Sequence, residues 1–484
     1  TTDGSYVVFD PDPPEAFTVG TVVSTGGNIV TNAWNSTNTG LDIQVPVAAN
    51  DTTLNNGTIQ LWAKVGTNAY ELFGDPVTII PDDFGTNKII SLLETQVEAI
   101  TGYAEEDTIY VKAFMTDRPG NETESTLSEN TLVIDETAPT VLSSHIESNN
   151  ADSTKAKVDD EITLTFQTSE IIQSPTATIA SGDATIADLG SFNWSAVYTM
   201  LETDDEGIIA FTVNELVDDR GNPAEGFADA TDESEVAFDR TKPSIDYAHL
   251  STNNSWNQSW ALEGNIGRIQ ANTSEDLLTS SCTFNGNVTT LNWYNAQEFD
   301  VVYTFSNSDT EGILVFELTF IDSAGNQGDT VITSTNNSYI IFDMTTPADF
   351  TVGDVSATGG NEIATFWNST NTGIDILVPI DSDSTLDSGR VQMWGKVGSN
   401  PFESIGDYVF IESEEVGDIK TMSLIEDSVE ALTGYTEDDT LFFKAVIYDI
   451  PGNETEGSTS TTILLIDETP PSLISASYES NFSD

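Results

Sequence analysis

The sequence predicts an all-β fold, a tandem array of antiparallel β-sandwiches strung into an elongated rod. Three observations predict it. A joint recurs in which an apolar run ends on Asp and a proline stands four residues on: Asp10 to Pro14, Asp135 to Pro139, Asp239 to Pro243, Asp343 to Pro347 and Asp467 to Pro471. Apolar residues between the joints recur with a period of two. An Asp-x-x-Gly-Asn turn precedes each later joint, opening at Asp117, Asp218, Asp322 and Asp449.

The joint has a physical sense. Proline cannot donate to a β-ladder and pushes its predecessor into an extended conformation, so the strand stops and the chain leaves straight. The joint aspartates lie 125, 104, 104 and 124 residues apart. A stop at such intervals is a module boundary. The expected division is 1–10, the last strand of a preceding module; 11–139, a long module; 140–243 and 244–347, two short modules; 348–471, a second long module; and 472–484, the start of another short one.

The long modules are copies of one another. Phe17-Thr18-Val19-Gly20 matches Phe350-Thr351-Val352-Gly353, and Trp34-Asn35-Ser36-Thr37 matches Trp367-Asn368-Ser369-Thr370, an offset of 333. Past a one-residue gap, Trp62 matches Trp394 and Gly102-Tyr103 matches Gly434-Tyr435. The modules run long, short, short, and a chain that begins in the last strand of one module and stops early in another is expected to be a slice of a longer repeat protein.

Within modules Leu41, Ile43, Val45 and Val47 alternate with polar or proline positions, as do Ile162, Leu164 and Phe166; Phe316, Leu318 and Phe320 extend the pattern from Leu314, with Val315 the one apolar interloper. Alternation marks half-buried strands with one face on a core. Only Leu92 to Ile100 and its copy, Leu424 to Leu432, suit a short helix. Strands this dense in modules of about 100 residues indicate β-sandwiches.

The turn glycines at 120, 221, 325 and 452 supply the positive φ of a tight hairpin, and the aspartate accepts the turn's amide hydrogens. An Asp-x-x-Gly-Asn turn, a last strand and then Ile-Asp-x-Thr-x-Pro together resemble the tandem bacterial Ig-like and fibronectin-type-III-like repeats of giant secreted surface adhesins and filaments. The resemblance covers the whole chain. It implies an extracellular, cell-surface protein of Ig-like sandwiches, and it speaks to fold more than to function.

Composition bounds the rest. Lys and Arg number 14 against 80 Asp and Glu, a formal net charge of −66. Without a basic face nucleic acid is excluded as a partner, and such charge attracts divalent cations. A single cysteine, Cys282, rules out a disulfide framework. No apolar run approaches membrane-spanning length. The two histidines, His145 and His249, each stand six residues past a joint proline and suit strand faces. Phosphate-loop, zinc-ligand and nucleophile-elbow spacings do not occur, so no enzyme is expected.

Calcium is the candidate cofactor. It prefers hard oxygen ligands, and carboxylates crowd the joints at Asp10, Asp12, Asp135, Glu136, Asp239, Asp343, Asp467 and Glu468. No EF-hand loop accompanies them, and a solvated acidic surface is the plainer reading. Lys64, Lys88 and Lys112 return as Lys396, Lys420 and Lys444, six of nine lysines. They suit ion pairs on strand faces; the resemblance adds a Lys–Asn isopeptide crosslink. Trp62 and Trp394, on the strand face opposite Leu61 and Ala63, suit either a core position or an interface with a neighbouring chain or sugar. Asn-x-Ser/Thr sequons recur at Asn35 and Asn368 and at Asn121 and Asn453.

The function expected is that of a structural and adhesive segment in a self-associating cell-surface fibre with an unidentified target. A surface-layer lattice subunit and a spacer array of a secreted hydrolase are the alternatives.

Overall fold

The computed structural model describes residues 9–477 and 479. Residues 1–8 of the strand expected at 1–10, and 478 and 480–484 of the module expected to open at 472–484, lie outside the described residues. Two compact units result, Thr1–Arg240 and Thr241–Asp484. Their buried apolar side chains gather into four clusters, two in each unit.

In the first unit, Val22–Thr25, Gly40–Pro46 and Asn87–Leu93 form one sheet. Ala33–Asn35, Leu132–Asp135, Thr108–Thr116, Thr58–Val65 and Glu71–Thr78 form, in that order, the sheet facing it. Alternate residues fill the space between: Leu41, Ile43 and Val45 meet Ile59, Leu61, Ala63, Val111 and Ala113 around a fully buried Trp34. Each such Leu, Ile or Val contributes about 1.5–3 kcal/mol by leaving water, and that burial holds the sandwich together. The helix expected at Leu92 to Ile100 is shorter, because Leu92 and Leu93 finish the strand Asn87–Leu93 and only Glu94–Val97 turns helical. Its copy covers Glu426–Glu430.

The second cluster lies between the sheet Val141–Ser148, Glu161–Thr168, Asn193–Thr199, Thr185–Gly190 and the shorter strands Thr176–Ile179 and Phe211–Asn214. Val141–Ser148 is an edge, and a strap of side chains blunts it. Thr231 Oγ1 and Ser234 Oγ accept the Ser144 and Ile146 amides at 2.8 and 2.9 Å. Satisfied by hydroxyls, that stretch offers fewer bare donors to a foreign strand.

The second unit repeats both plans. Ile245–Thr252, Ile266–Thr273, Glu298–Thr304, Asn287–Trp293, Leu277–Phe284 and Phe316–Asp322 form one continuous sheet. The strap returns, with Thr335 and Ser338 taking the Ala248 and Leu250 amides. The last cluster copies the first, around Trp367.

Among the described strands pairing is antiparallel except in one place per sandwich; outside them, isolated parallel bridges join Thr18 to Thr126 and Thr351 to Ser458. The strand that leads to a joint pairs in parallel with a short earlier strand: Leu132–Asp135 with Ala33–Asn35, Ala237–Phe238 with Lys155–Ala156, Ile341–Phe342 with Trp260–Ala261, and Leu464–Ile466 with Phe366–Trp367. The joint aspartate completes this ladder, since the amides of Asp239, Asp343 and Asp467 donate to Ala156, Ala261 and Trp367 carbonyls at 2.9, 3.0 and 2.8 Å. Each strand therefore ends pinned at its Asp, just short of the proline.

Candidate metal centre

The Asp-x-x-Gly-Asn turns are more than hairpins. Asp218 Oδ1 accepts the Arg220 and Asn222 amides, and its Oδ2 accepts the Asn222 side-chain amide at 2.8 Å. Gly221, at φ +101°, lets the chain close this ring. Held so, Asn222 Nδ2 also donates to the carbonyl of Asp135 at 2.9 Å, 87 residues earlier. The same bond runs from Asn121 to the Asp10 carbonyl at 3.0 Å and from Asn453 to the Asp343 carbonyl at 3.2 Å. The turn is thus a latch that grips the joint in front of it.

At Asp135 the latch brings carboxylates together. One carboxylate oxygen each from Asp135, Glu170 and Asp218 lie within 4.8 Å of one another. Asp135 and Asp218 are buried and Glu170 is half-buried. Burial first, and then the Asp218 charge, pushes Asp135 up to about 6. Burial and the same neighbour raise Glu170. Glu105, whose side chain accepts the Glu136 and Thr137 amides at 3.0 and 3.2 Å, closes the acidic rim.

The donor set fits a divalent cation. Calcium binds oxygens at about 2.3–2.6 Å, so ligands on opposite sides of one ion stand about 5 Å apart. Three carboxylate oxygens within that span crowd negative charge that one dication would largely offset.

The joint at Asp343 is built differently. Asp343 Oδ1 accepts the Thr345 amide at 3.0 Å, while its buried Oδ2 has no hydrogen-bond partner among the described residues. Burial raises Asp343, and burial followed by the Asp343 charge pushes the fully buried Asp449 up to about 6. Beside these acids Trp256 packs on Tyr448 with ring centroids 5.0 Å apart and on Tyr408 at 6.2 Å. The Arg390 guanidinium sits 4.3 Å from the Trp256 ring and 5.1 Å from that of Phe410. Asn254 Nδ2 donates to the Pro451 carbonyl at 2.8 Å.

The other expected ligands are placed apart from these. Asp12 is exposed, and its amide donates to Asp10 Oδ1 at 3.1 Å. Glu136 and Glu468 turn away to accept the Tyr103 and Tyr435 hydroxyls at 2.7 and 2.6 Å. Asp467 is exposed, and Asp239 is half-buried at the end of its strand. Glu170 and Asp218 were not expected as ligands. Asp218 carried a signal, being a turn aspartate beside a joint; Glu170 carried none.

Trp62 and Trp394 are half-buried on the outer face of their sheets, outside the core where a sandwich tryptophan is commonest. Lys112 and Lys444 pair with Glu124 and Glu456, and Lys88 and Lys420 with Asp83 and Glu415, so these amines face carboxylates and not an isopeptide asparagine. Cys282 is buried, and burial pushes its thiol up to about 11. His145 and His249 lie on strand faces, as expected. Asn35, Asn121 and Asn453 spend their side-chain amides inside the latches or the loops beside them, so those sequons are occupied structurally.

No protein-family model matches the chain, and no curated protein sequence matches it. Among solved structures it is similar to a Ca2+-stabilized adhesin with which an Antarctic bacterium reaches out and binds ice: 13% identity, 94% of this chain and all of that one covered, TM-score 0.43. It is similar to a 1.5-MDa bacterial ice-binding adhesin described for host cell surface retention, with 15% identity, 69% and 99% covered, TM-score 0.34. Titin domains A168–A170 give 8% identity, 68% and 99% covered, and TM-score 0.26. All are likenesses of fold.

Proposed function

We propose that this segment is a structural and adhesive stretch of a giant extracellular repeat protein, working in a cell-surface fibre whose joints are stiffened by calcium. One observation carries the reading: the same latch, an asparagine held by its turn aspartate and donating to a joint aspartate's carbonyl, recurs at Asp10, Asp135 and Asp343. A device repeated at three joints serves the linkage between modules, and we place the module boundaries at Pro139, Pro243, Pro347 and Pro471. No described helix is long and apolar enough to cross a membrane.

Calcium extends the reading. Asp135, Glu170 and Asp218 would hold a divalent cation at the first latch, and Asp343 with Asp449 offers a second buried acidic pair. A bound cation supplies positive charge where like-charged carboxylates otherwise repel across a joint. Asn222 and Asn453 position those carboxylates whether or not an ion is bound.

Small-angle scattering in chelator and in millimolar calcium is the test. The proposal expects a long maximum dimension that shortens or broadens in chelator, along with a lower melting temperature. An unchanged dimension and unchanged melting would leave the acids as solvated surface. A chain that stays monomeric at high concentration and marine salt favours the spacer of a secreted enzyme over the fibre.

A further inference from the structure

We infer that the outer face of each long sandwich is a receptor for carboxylates on a second copy of this chain. The inference rests on the self-associating fibre proposed above and names its contact. On the strand pair Thr58–Val65 and Thr108–Thr116, Trp62 lies opposite Lys112, Lys64 opposite Tyr110, and Gln60 opposite Phe114, all on the face away from the core. The Lys64 ammonium sits 5.3 Å from the Tyr70 ring centroid and 5.1 Å from that of Tyr110. Lys112 sits 4.3 Å from the same Tyr70 ring.

The second long sandwich preserves the arrangement with changed rings. Lys396 lies 5.0 and 4.9 Å from Phe402 and Phe442, and Lys444 lies 4.6 Å from Phe402. One lysine of each pair already has its carboxylate, Lys112 on Glu124 and Lys444 on Glu456. The other does not. Among the described residues no carboxylate lies within ion-pair distance of Lys64 or Lys396.

That is improbable by composition, since acids outnumber bases 80 to 14. An ammonium kept between rings is attracted to their faces and still has hydrogens for an anion. The occupant follows from charge complementarity: with a net charge of −66, the acidic surface of another copy is the complementary partner. Two such sites on one chain let weak contacts add.

The test uses the full chain with Lys64→Gln and Lys396→Gln together, and a second variant with Met at both positions to retain the packed stem. Sedimentation at marine salt measures association, and near-UV circular dichroism and melting report folding. The inference expects folded variants that associate roughly tenfold more weakly, the effect of two partly screened ion pairs. Equal association of wild type and both variants overturns this site while leaving the fibre standing. A wild type that never associates overturns the fibre and this inference with it. Wild type that stays monomeric yet binds alginate through Lys64 and Lys396 overturns it in favour of an acidic polysaccharide.

Discussion

The joints at Asp135 and Asp343 share a latch and differ in what surrounds it. Around Asp135 the second sandwich docks through amides: Asn28 and Asn35 donate to the Gly221 and Arg220 carbonyls, and the Ser36 amide donates to Asn222. Three carboxylates line that joint. Around Asp343 the clasp is aromatic, with Trp256 wedged among Tyr408, Tyr448 and Arg390. The first long sandwich, whose own latch runs from Asn121 to Asp10, has Pro76, Thr116 and Thr58 at the positions of Tyr408, Tyr448 and Arg390, so it has no such seat. The latch at Asp135 is carried by a short sandwich through Asn222, and the one at Asp343 by a long sandwich through Asn453. The lesson is that the latch sets register, while the surroundings decide what strengthens the joint: apolar burial at Asp343, neutralised charge at Asp135.

The clasp should break most sharply. Trp256→Ala removes a ring that packs on two tyrosines and an arginine, and about 2–3 kcal/mol of docking should go with it. Limited proteolysis near Pro347 should accelerate, with cleavage near Pro139 unchanged. Equal acceleration at both places would mean the joints are not independent.

A somewhat smaller loss is expected from Asn222→Ala. It strips a fully buried donor from the Asp135 carbonyl, from Asp135 Oδ1 and from Asp218 Oδ2, at about 1–3 kcal/mol for acceptors left dry. Asn453→Ala, at a half-buried site with a longer 3.2 Å bond, should cost less. Melting of the two variants side by side checks the order.

Protonation gives a third comparison. Asp135 stands at about 6 in the folded chain, above the ordinary carboxylate value. Its contribution is therefore complete below pH about 4 and is lost as pH rises through about 6. In metal-free protein Asp135→Asn should melt higher than wild type at pH 7 and no higher at pH 4. Calcium should erase or reverse the advantage at pH 7. A variant that melts lower at both pH values in chelator contradicts the assignment.

The smallest expected effect compares the straps. His145 Nδ1 and Asp232 Oδ2 lie 2.7 Å apart, whereas His249 meets the neutral Asn336 at 2.8 Å. The Ser234 hydroxyl, the His145 ring and the Ser234 amide hold Asp232 down at about 2. Its share of stability is present above pH about 4 and fades as pH falls through about 2. Amide exchange at Ile146 should quicken across that window relative to Leu250. Asp232→Asn should remove the difference.

Much of this was legible along the chain because it is local. Period-two patterning at Leu41 to Val47 follows from the pleat of a strand, and a proline four residues past an aspartate ends one whatever surrounds it. The turn at Asp218 was readable too, since its ring closes within five residues. That Asn222 grips Asp135 was not, because the bond spans 87 residues and nothing in either neighbourhood encodes the other. Glu170 sits in an ordinary loop and becomes a candidate ligand only when Asp135 and Asp218 arrive beside it. The parallel pairing that pins each joint strand needs the two ends of a sandwich brought together. Trp256 reaches its tyrosine seat across 192 residues. The sequence by itself determined the strands, their stops and the repeat; only tertiary structure decided which stops are latched by which turns, because those contacts are selected by the packing of whole sandwiches and not by the residues alongside.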